Sequence, residues 1–410
     1  MDQAAFPLAS ATGSSSKGQD AVQQRCFIEV EHRLEELLKI GECELKSTEE
    51  WEAENIPVNP ALKEGFEPGG RYSEAVRIKD SHQDVVFKVM KILIPKFGMT
   101  YKAQDPGAIR DEILALKAVC GLPGFVGYHG LSLTYGRAPI FLHFQRGRCT
   151  DRCHQNTDCE TEFFAIIATS YGGRTAHSII EDQILQKSLV FNPTARLEGV
   201  RLLASIHLGV LAVLANAERV VGYENQDCHY NNVVVEVDTQ QATPRAPITA
   251  TAQTGHTSTT APASREAFDF NIRVRLIDQG MARTNASEAN SASTSSPEPV
   301  TEQVLQSNLR RWLAKVAGYR ALANMLGDPW TNTRSLWANP FDARAKLDEM
   351  TDQQRQKARI WCVLSAAEGV EYEQEDGEST LFTATGMLQR LVDMGVTTHA
   401  EARRLMGEPR

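Results

Sequence analysis

The chain has 410 residues, 42% of them apolar, which exceeds one average domain and leaves material for a core with appendages. Its formal net charge of -9 argues against general nucleic-acid binding, which needs a basic surface, and suits a basic peptide partner. No apolar run is expected to reach the ~20 residues of a membrane span, no charged segment precedes an apolar core at the start, and the eight cysteines are too scattered for a disulfide framework, so a soluble, intracellular, reduced protein is expected.

Residues 1–24 are small and polar and read as a disordered leader to a domain over 25–410. From Ile28 to Ile40 apolar residues recur at helical spacing and stop at Gly41, predicting an amphipathic helix that braces the first part of the domain. Arg71 to Ile78 and Val85 to Leu93, separated by a polar turn, predict a hairpin. Asp105-Pro106 opens a helix over 107–120, and strand-like runs come next at Phe125 to Leu133, Ala138 to Phe144 and Phe163 to Thr169. This first part reads as a small sheet with one helix.

Asn192-Pro193 is a cap-and-first-turn pair, and Leu202 to Ala217 is apolar almost all round, predicting a helix buried in the middle of a second part. A strand at Val233 to Val237 is followed by a Thr, Ala and Pro rich stretch, 239–265, read as a disordered insertion between the two strands of a hairpin; a second low-complexity insertion covers 284–299. Helices are predicted over Gln303 to Leu326, Ala343 to Glu368 and Leu381 to Met406, with breaks at Gly327-Asp328-Pro329 and Asn339-Pro340.

The chemistry concentrates after the buried helix. Asp227 and Asn232 are five residues apart, and Asp278 closes a β-like run that ends Ile277-Asp278-Gln279-Gly280. Phosphoryl transfer needs one carboxylate to orient and deprotonate the attacking hydroxyl, and an amide and a second carboxylate to hold magnesium against the phosphates. Asp227, Asn232 and Asp278 fill those roles in that order. A bare D-x-x-x-x-N is common by chance, so the strand and helix context carries the reading. Lys88, in an otherwise inward-facing strand, is the candidate partner of the phosphates, with Glu112 on the following helix to position it; each alone would be an ordinary surface residue.

In this order the residues resemble the protein kinase superfamily, most closely the haspin-like atypical kinases, over roughly residues 65 to 282. The loop Asp227-Cys228-His229-Tyr230-Asn231-Asn232 is similar to that family's Asp-Leu-His-Trp-Gly-Asn. The run at 211 to 218, the segment Phe164 to Gly173, and Glu112 to Lys117 with Pro123 to Gly127 match in the same sequence. The resemblance implies an α+β bilobal fold, with a small β-rich lobe carrying one helix over about 25–169, a hinge at 170–173 and a larger, mainly helical lobe over 174–410. It implies Thr169 as gatekeeper, adenine held near Ser170 and Gly172, and phosphates covered by the loop of Gly70, Tyr72 and Ser73. ATP and Mg2+ are the implied cofactors, with Lys88, Asn232 and Asp278 contacting them. The implied substrate is a threonine in the tail of histone three, in the nucleus during mitosis.

Several residues depart from the family. Only Gly70 stands at an expected glycine of the phosphate loop; Asn225 and Gln226 replace His-Arg before Asp227, which is expected to weaken the scaffold there; and Asp278-Gln279-Gly280 is neither the common Asp-Phe-Gly nor the haspin-like Asp-Tyr-Thr, though it keeps the carboxylate that magnesium needs. These leave open a pseudokinase that binds without turnover, and a small-molecule phosphotransferase of the aminoglycoside or choline kinase type, whose second motif also reads Ile-Asp-x-Gly. Cys149, Cys153, His154 and Cys159 match no standard zinc module and read as a polar loop with free thiols, and Cys228 reads as a packing residue.

Overall fold

The computed structural model describes residues 32, 34–56, 63–64, 73–79, 84–92, 103–136, 139, 162–185, 193–225, 227–237, 267–268, 271–280, 282–284, 339–365 and 383–407. Outside them lie the predicted leader, the two low-complexity insertions almost entirely, all but residue 139 of the strand at Ala138 to Phe144, the helix at Gln303 to Leu326, Asn192, and the group Cys149, Cys153, His154 and Cys159.

The chain is an α+β protein built on a mixed seven-stranded sheet. The strands are β1 (Leu45–Ser47), β2 (Lys63–Glu64), β3 (Ser73–Lys79), β4 (Asp84–Ile92), β5 (Ala103–Gln104), β6 (Tyr128–Gly136) and β7 (Glu162–Ser170). Their order is β1-β6-β7-β4-β3-β2, with β5 beside the end of β4; the β1–β6 and β4–β5 pairs are parallel and the rest antiparallel. The predicted hairpin is β3–β4, with Ala75 opposite Lys88.

Both faces of this sheet are covered, which is why β7 reads as a nearly unbroken apolar run rather than an alternating one. On one face lie a helix over 34–41 (α1), which takes up the predicted bracing position, and α3 (Pro106–Val119). Leu34, Leu37, Ile109, Ile113 and Leu116 pack there on Met90, Ile92, Leu133 and Ile167. On the other face α2 (Thr48–Asn55) inserts Trp51 edge-on to Phe87, with ring centroids 5.2 Å apart, over Val76, Val89 and Ile166. The expectation of one helix on the sheet is therefore corrected to three. α2 is set by a capping box between Ser47 and Glu50, a signal present in the sequence.

The second hydrophobic assembly surrounds the 29-residue helix α5 (Pro193–Val221). By length and composition its stretch Leu197–Val221 could cross a membrane, which corrects the expectation that no run approaches that size, but 83% of that window is buried inside the fold. Against it pack β11 (Ile272–Leu276), α7 (Asp352–Leu364), α8 (Ala384–Asp393) and α9 (His399–Leu405). β11 runs antiparallel to β10 (Val233–Val237), as the predicted hairpin requires, and β8 (Arg174–Thr175) completes a three-stranded sheet. β8 leads into α4 (Ala176–Ile179), which continues as a π-helical turn, Ile180–Leu185. β9 (Glu224–Asn225) and β12 (Ala282–Arg283) pair antiparallel.

Each of the two predicted late helices is divided. α6 (Pro340–Glu349), opened by the Asn339 cap, stops at Met350, and Thr351 starts α7 through a capping box with Gln354. α8 is capped at Met394 and followed by Gly395, whose φ of +71° suits glycine, and Thr398 with Glu401 restarts the chain as α9. The apolar periodicity runs through both breaks, so the caps, not the pattern, mark them. The predicted strand from Phe125 begins instead at Tyr128, because Gly124 O accepts from the Leu276 amide at 2.8 Å and Phe125 bridges to Leu276.

Candidate functional site

α3 is capped by Asp105, whose side chain accepts from the Gly107 amide, with Pro106 at its first position. Its buried stripe is Ile109, Glu112, Ile113 and Leu116, one helical face, so a glutamate stands where the period calls for an apolar residue. Glu112 is 1% exposed, which corrects the reading of it, taken alone, as a solvated helix residue. The lysine that meets it comes from β4, where Lys88 shares a face with Met90 and Ile92 and stands opposite Ile167 of β7. Lys88 Nζ lies 2.6 Å from Glu112 Oε1 and 2.8 Å from Asp278 Oδ1.

Asp278 follows β11 and has a φ of +58°, a left-handed conformation that aspartate tolerates better than most residues and that marks constrained backbone. Its Oδ1 also accepts from the Gly280 amide at 3.3 Å. A Cβ added at Gly280 would stand 3.2 Å from that oxygen and 3.3 Å from Glu112 Oε2, so the turn leaves room for two carboxylates and one ammonium. Glu112 Oε2 is buried without a hydrogen-bond partner among the described residues.

The three ionisable groups shift in a consistent way. Burial opposes the charge of Lys88, but Glu112 and then Asp278 outweigh it and hold the ammonium above its ordinary range. Burial raises Glu112, and the adjacent Lys88 only partly reverses that. Burial would also raise Asp278, but the charge of Lys88 and its hydrogen bond bring it below the usual carboxylate value. Asp278 is therefore the ionised, acceptor-rich member of the set, and it is also the more open one, with 36% of its side chain exposed.

Asp227 and Asn232 bracket the loop between β9 and β10. The Asp227 amide donates to Asn225 Oδ1 at 2.8 Å, an Asx turn closed by the residue two before it. Asn232 Nδ2 donates to Asp227 O at 3.0 Å, and the Ile277 amide donates to Asn232 O at 2.9 Å, which brings Asn232 beside the residue preceding Asp278. The Asn231 amide donates to His229 Nδ1 at 3.2 Å, so the imidazole hydrogen sits on Nε2, 3.4 Å from Asp227 Oδ2. Cys228, between them, is buried in the core, in keeping with a packing role.

No model of a known protein family matches the chain, and no curated protein matches it in sequence.

Thr169 lies two residues beyond Ile167 on β7, on the face that carries Lys88. The next two amides are engaged within the fold: Ser170 N–H donates to Gly127 O at 2.8 Å and Tyr171 N–H to Asp84 O at 3.0 Å. Gly172 is closed in, since a Cβ there would meet Val234 Cγ2 at 2.5 Å and Val126 Cγ1 at 2.8 Å. Of the remaining candidates, Ser73 begins β3 opposite Met90, its side chain outside the described residues, as are Gly70 and Tyr72.

The structure thus brings Lys88, Glu112 and Asp278 into contact, and ties Asp227 and Asn232 to one another and to the strand end next to Asp278. The sequence reading missed the buried polar group behind them. Asn225 Nδ2 donates to Tyr223 Oη at 2.9 Å, and the Tyr223 hydroxyl donates to Gln279 Oε1. Asn225, expected to weaken the scaffold, is thereby a part of it. The signal available was a run of polar side chains flanking two loops that close apolar elements.

Proposed function

We propose that the chain is an ATP- and magnesium-dependent phosphotransferase of the protein kinase kind, resembling the haspin-like kinases, with a two-lobe arrangement in which the mixed sheet forms one lobe and the helices around α5 the other. The observation that carries the reading is Lys88 held between Glu112 and Asp278, at 2.6 and 2.8 Å, by elements up to 190 residues apart in the chain. A buried carboxylate with a lysine costs free energy to assemble, so a site of this kind suits a function better than stability alone.

The donor chemistry fits magnesium. Asp278 offers a carboxylate that stays ionised, and Asn232, with Nδ2 committed to Asp227, has its amide oxygen left for a cation. Magnesium is usually held by one or two such oxygens plus phosphates and water. When bound, the ion neutralises phosphate charge in the transition state. Lys88, positioned by Glu112, would contact the α and β phosphates; Asp227 would accept the proton of the attacking hydroxyl, with His229 Nε2–H beside its Oδ2; and Thr169 with the Gly172 amide would meet the base.

The reading is tested by phosphate transfer from ATP and Mg2+ to histone-tail peptides and, in parallel, to small alcohols and amines, with Asp227→Asn as control. Loss of transfer by about 10²-fold or more, with nucleotide binding kept in a thermal-shift titration, is expected for the variant. Transfer to small alcohols or amines alone would point to the small-molecule enzymes, and binding without transfer to a pseudokinase. Transfer that survives in Asp227→Asn refutes the assignment.

A further inference from the structure

A continuous line of hydrogen bonds, buried from Asn225 to Gln279, joins the loop of Asp227 to the loop of Asp278. The Asp227 amide donates to Asn225 Oδ1, Asn225 Nδ2 to Tyr223 Oη, and the Tyr223 hydroxyl to Gln279 Oε1, Gln279 being the residue after Asp278. Tyr223, Asn225 and Gln279 are 1%, 4% and 0% exposed. The directions are fixed by the atoms. The hydroxyl has one hydrogen, and because it receives one from Asn225 it can give its own only to Gln279. Burial also keeps the phenol protonated, well above its ordinary range.

Apolar packing fixes the ends of this line. The Tyr223 ring stands edge-on to Phe125, with centroids 5.3 Å apart, and Phe125 bridges to Leu276 of β11, two residues before Asp278. On the other side Asn225 pairs with Ala282 and Glu224 with Arg283, so the segments bearing the two aspartates are also joined through backbone. Gln279 is the strained member: its Nε2 is buried and has no hydrogen-bond partner among the described residues. Its bond to Tyr223 is therefore the polar interaction that keeps its amide inside, and losing it leaves the whole buried amide unsatisfied.

We propose that Tyr223 is a positioning residue whose hydroxyl, acting through Asn225 and Gln279, couples the Asp227 loop to the Asp278 loop and holds the two carboxylates in one mutual arrangement. Its kinetic consequence rests on the phosphotransferase reading; the coupling itself does not.

Two variants of the full chain test it. Tyr223→Phe removes the hydroxyl and keeps the ring, and Gln279→Met keeps the volume and removes the amide. In hydrogen exchange, each is expected to speed the Asp227 amide by about 10-fold or more while amides of α8 keep their rates, and the double variant to exchange no faster than Tyr223→Phe alone, because that substitution already breaks the bond Gln279→Met removes. In transfer assays, each is expected to lower kcat by about 10-fold with KM for ATP within about two-fold, as a misplaced pair of catalytic groups would. A Gln279→Met protein whose Asp227 amide exchanges at the wild-type rate, or a double variant whose effects multiply, overturns the proposal. Should the wild-type protein transfer no phosphate, the functional reading falls and the exchange rates alone decide the coupling.

Discussion

Replacing Lys88 by methionine removes the cation that faces Glu112, whose side chain is 1% exposed and is already raised above 4.5 by burial. An acid whose folded-state pKa lies above its unfolded value weakens the fold at every pH above the unfolded value, and the penalty disappears as the pH falls and both states become protonated. With 4.5 as the unfolded value and ~1.36 kcal/mol per pH unit, a Glu112 forced to protonate caps the penalty at about 3 kcal/mol at pH 7 and under about 1 kcal/mol at pH 5. Part of this penalty is present in the wild type, so Lys88→Met is expected to lose about 2–3 kcal/mol at pH 7 and less than about 1 kcal/mol at pH 5. Lys88 is charged at both pH values and Asp278 is open to water on one side, so the pH dependence belongs to Glu112. Urea denaturation followed by tryptophan fluorescence at the two pH values measures it. Adding Glu112→Gln to Lys88→Met should recover much of the stability at pH 7, because the fully buried carboxylate is gone and only the more open Asp278 stays charged. An equal loss at both pH values, or a double variant no more stable at pH 7 than Lys88→Met, would refute the electrostatic account of this site.

Other parts of the molecule give sharp expectations as well. Burial brings His207, in the middle of α5, down to about 3, so below its unfolded value of 6.5 the unfolded chain takes up a proton that the folded one refuses. Stability should therefore fall as the pH drops from 6.5 toward 3, by ~1.4 kcal/mol per unit, and His207→Gln should flatten that slope in denaturation curves at pH 6.5 and 4.5; parallel slopes would show that His207 is not responsible. Gly173 has a φ of +115°, and a Cβ there would stand 2.3 Å from Val235 O, so Gly173→Ala should cost about 2 kcal/mol or more and lower the thermal midpoint visibly. An unchanged midpoint would count against the close approach of residue 173 to β10. Glu218 accepts from the Ala384 and Thr385 amides at 3.1 and 2.9 Å, capping α8 from the end of α5, and Glu218→Ala should cost about 1–2 kcal/mol with faster exchange at those two amides. Unaltered exchange there would remove Glu218 as the cap.

Much of the local structure was legible because the sequence signals were physical requirements. Asp105-Pro106 opens α3 because a side-chain oxygen and a residue without an amide hydrogen both suit a helix start. The apolar run at Leu202 to Ala217 had to be surrounded on all sides, and it is. The hairpin joining β10 to β11 followed from two strand-like runs around a stretch that cannot form a core. Other features failed to show because the pattern was ambiguous on its own terms. Apolar periodicity continues across Thr351 and across Gly395 to Thr398, so only the caps divide those helices. α2 carries only Trp51 as a large buried apolar side chain, too little periodicity to stand out.

The sequence by itself determined the order of the polar residues, Lys88, Glu112, Asp227, Asn232 and Asp278, and the type of element that carries each, because propensity, capping and hydrophobic period act over a few residues at a time. It also established which residue types were present for acid–base and cation chemistry. Only the tertiary structure decided that Lys88 bridges two carboxylates, one 24 and one 190 residues further along the chain, that Glu112 is buried, and that Asn225 holds the Asp227 amide. Those facts depend on sheet register and on side chains meeting across 24 to 190 residues of chain, distances at which local sequence exerts no physical constraint. The Tyr223 to Gln279 bond belongs to the same class: two polar residues, unremarkable where each stands, acquire a role because the fold buries them against each other.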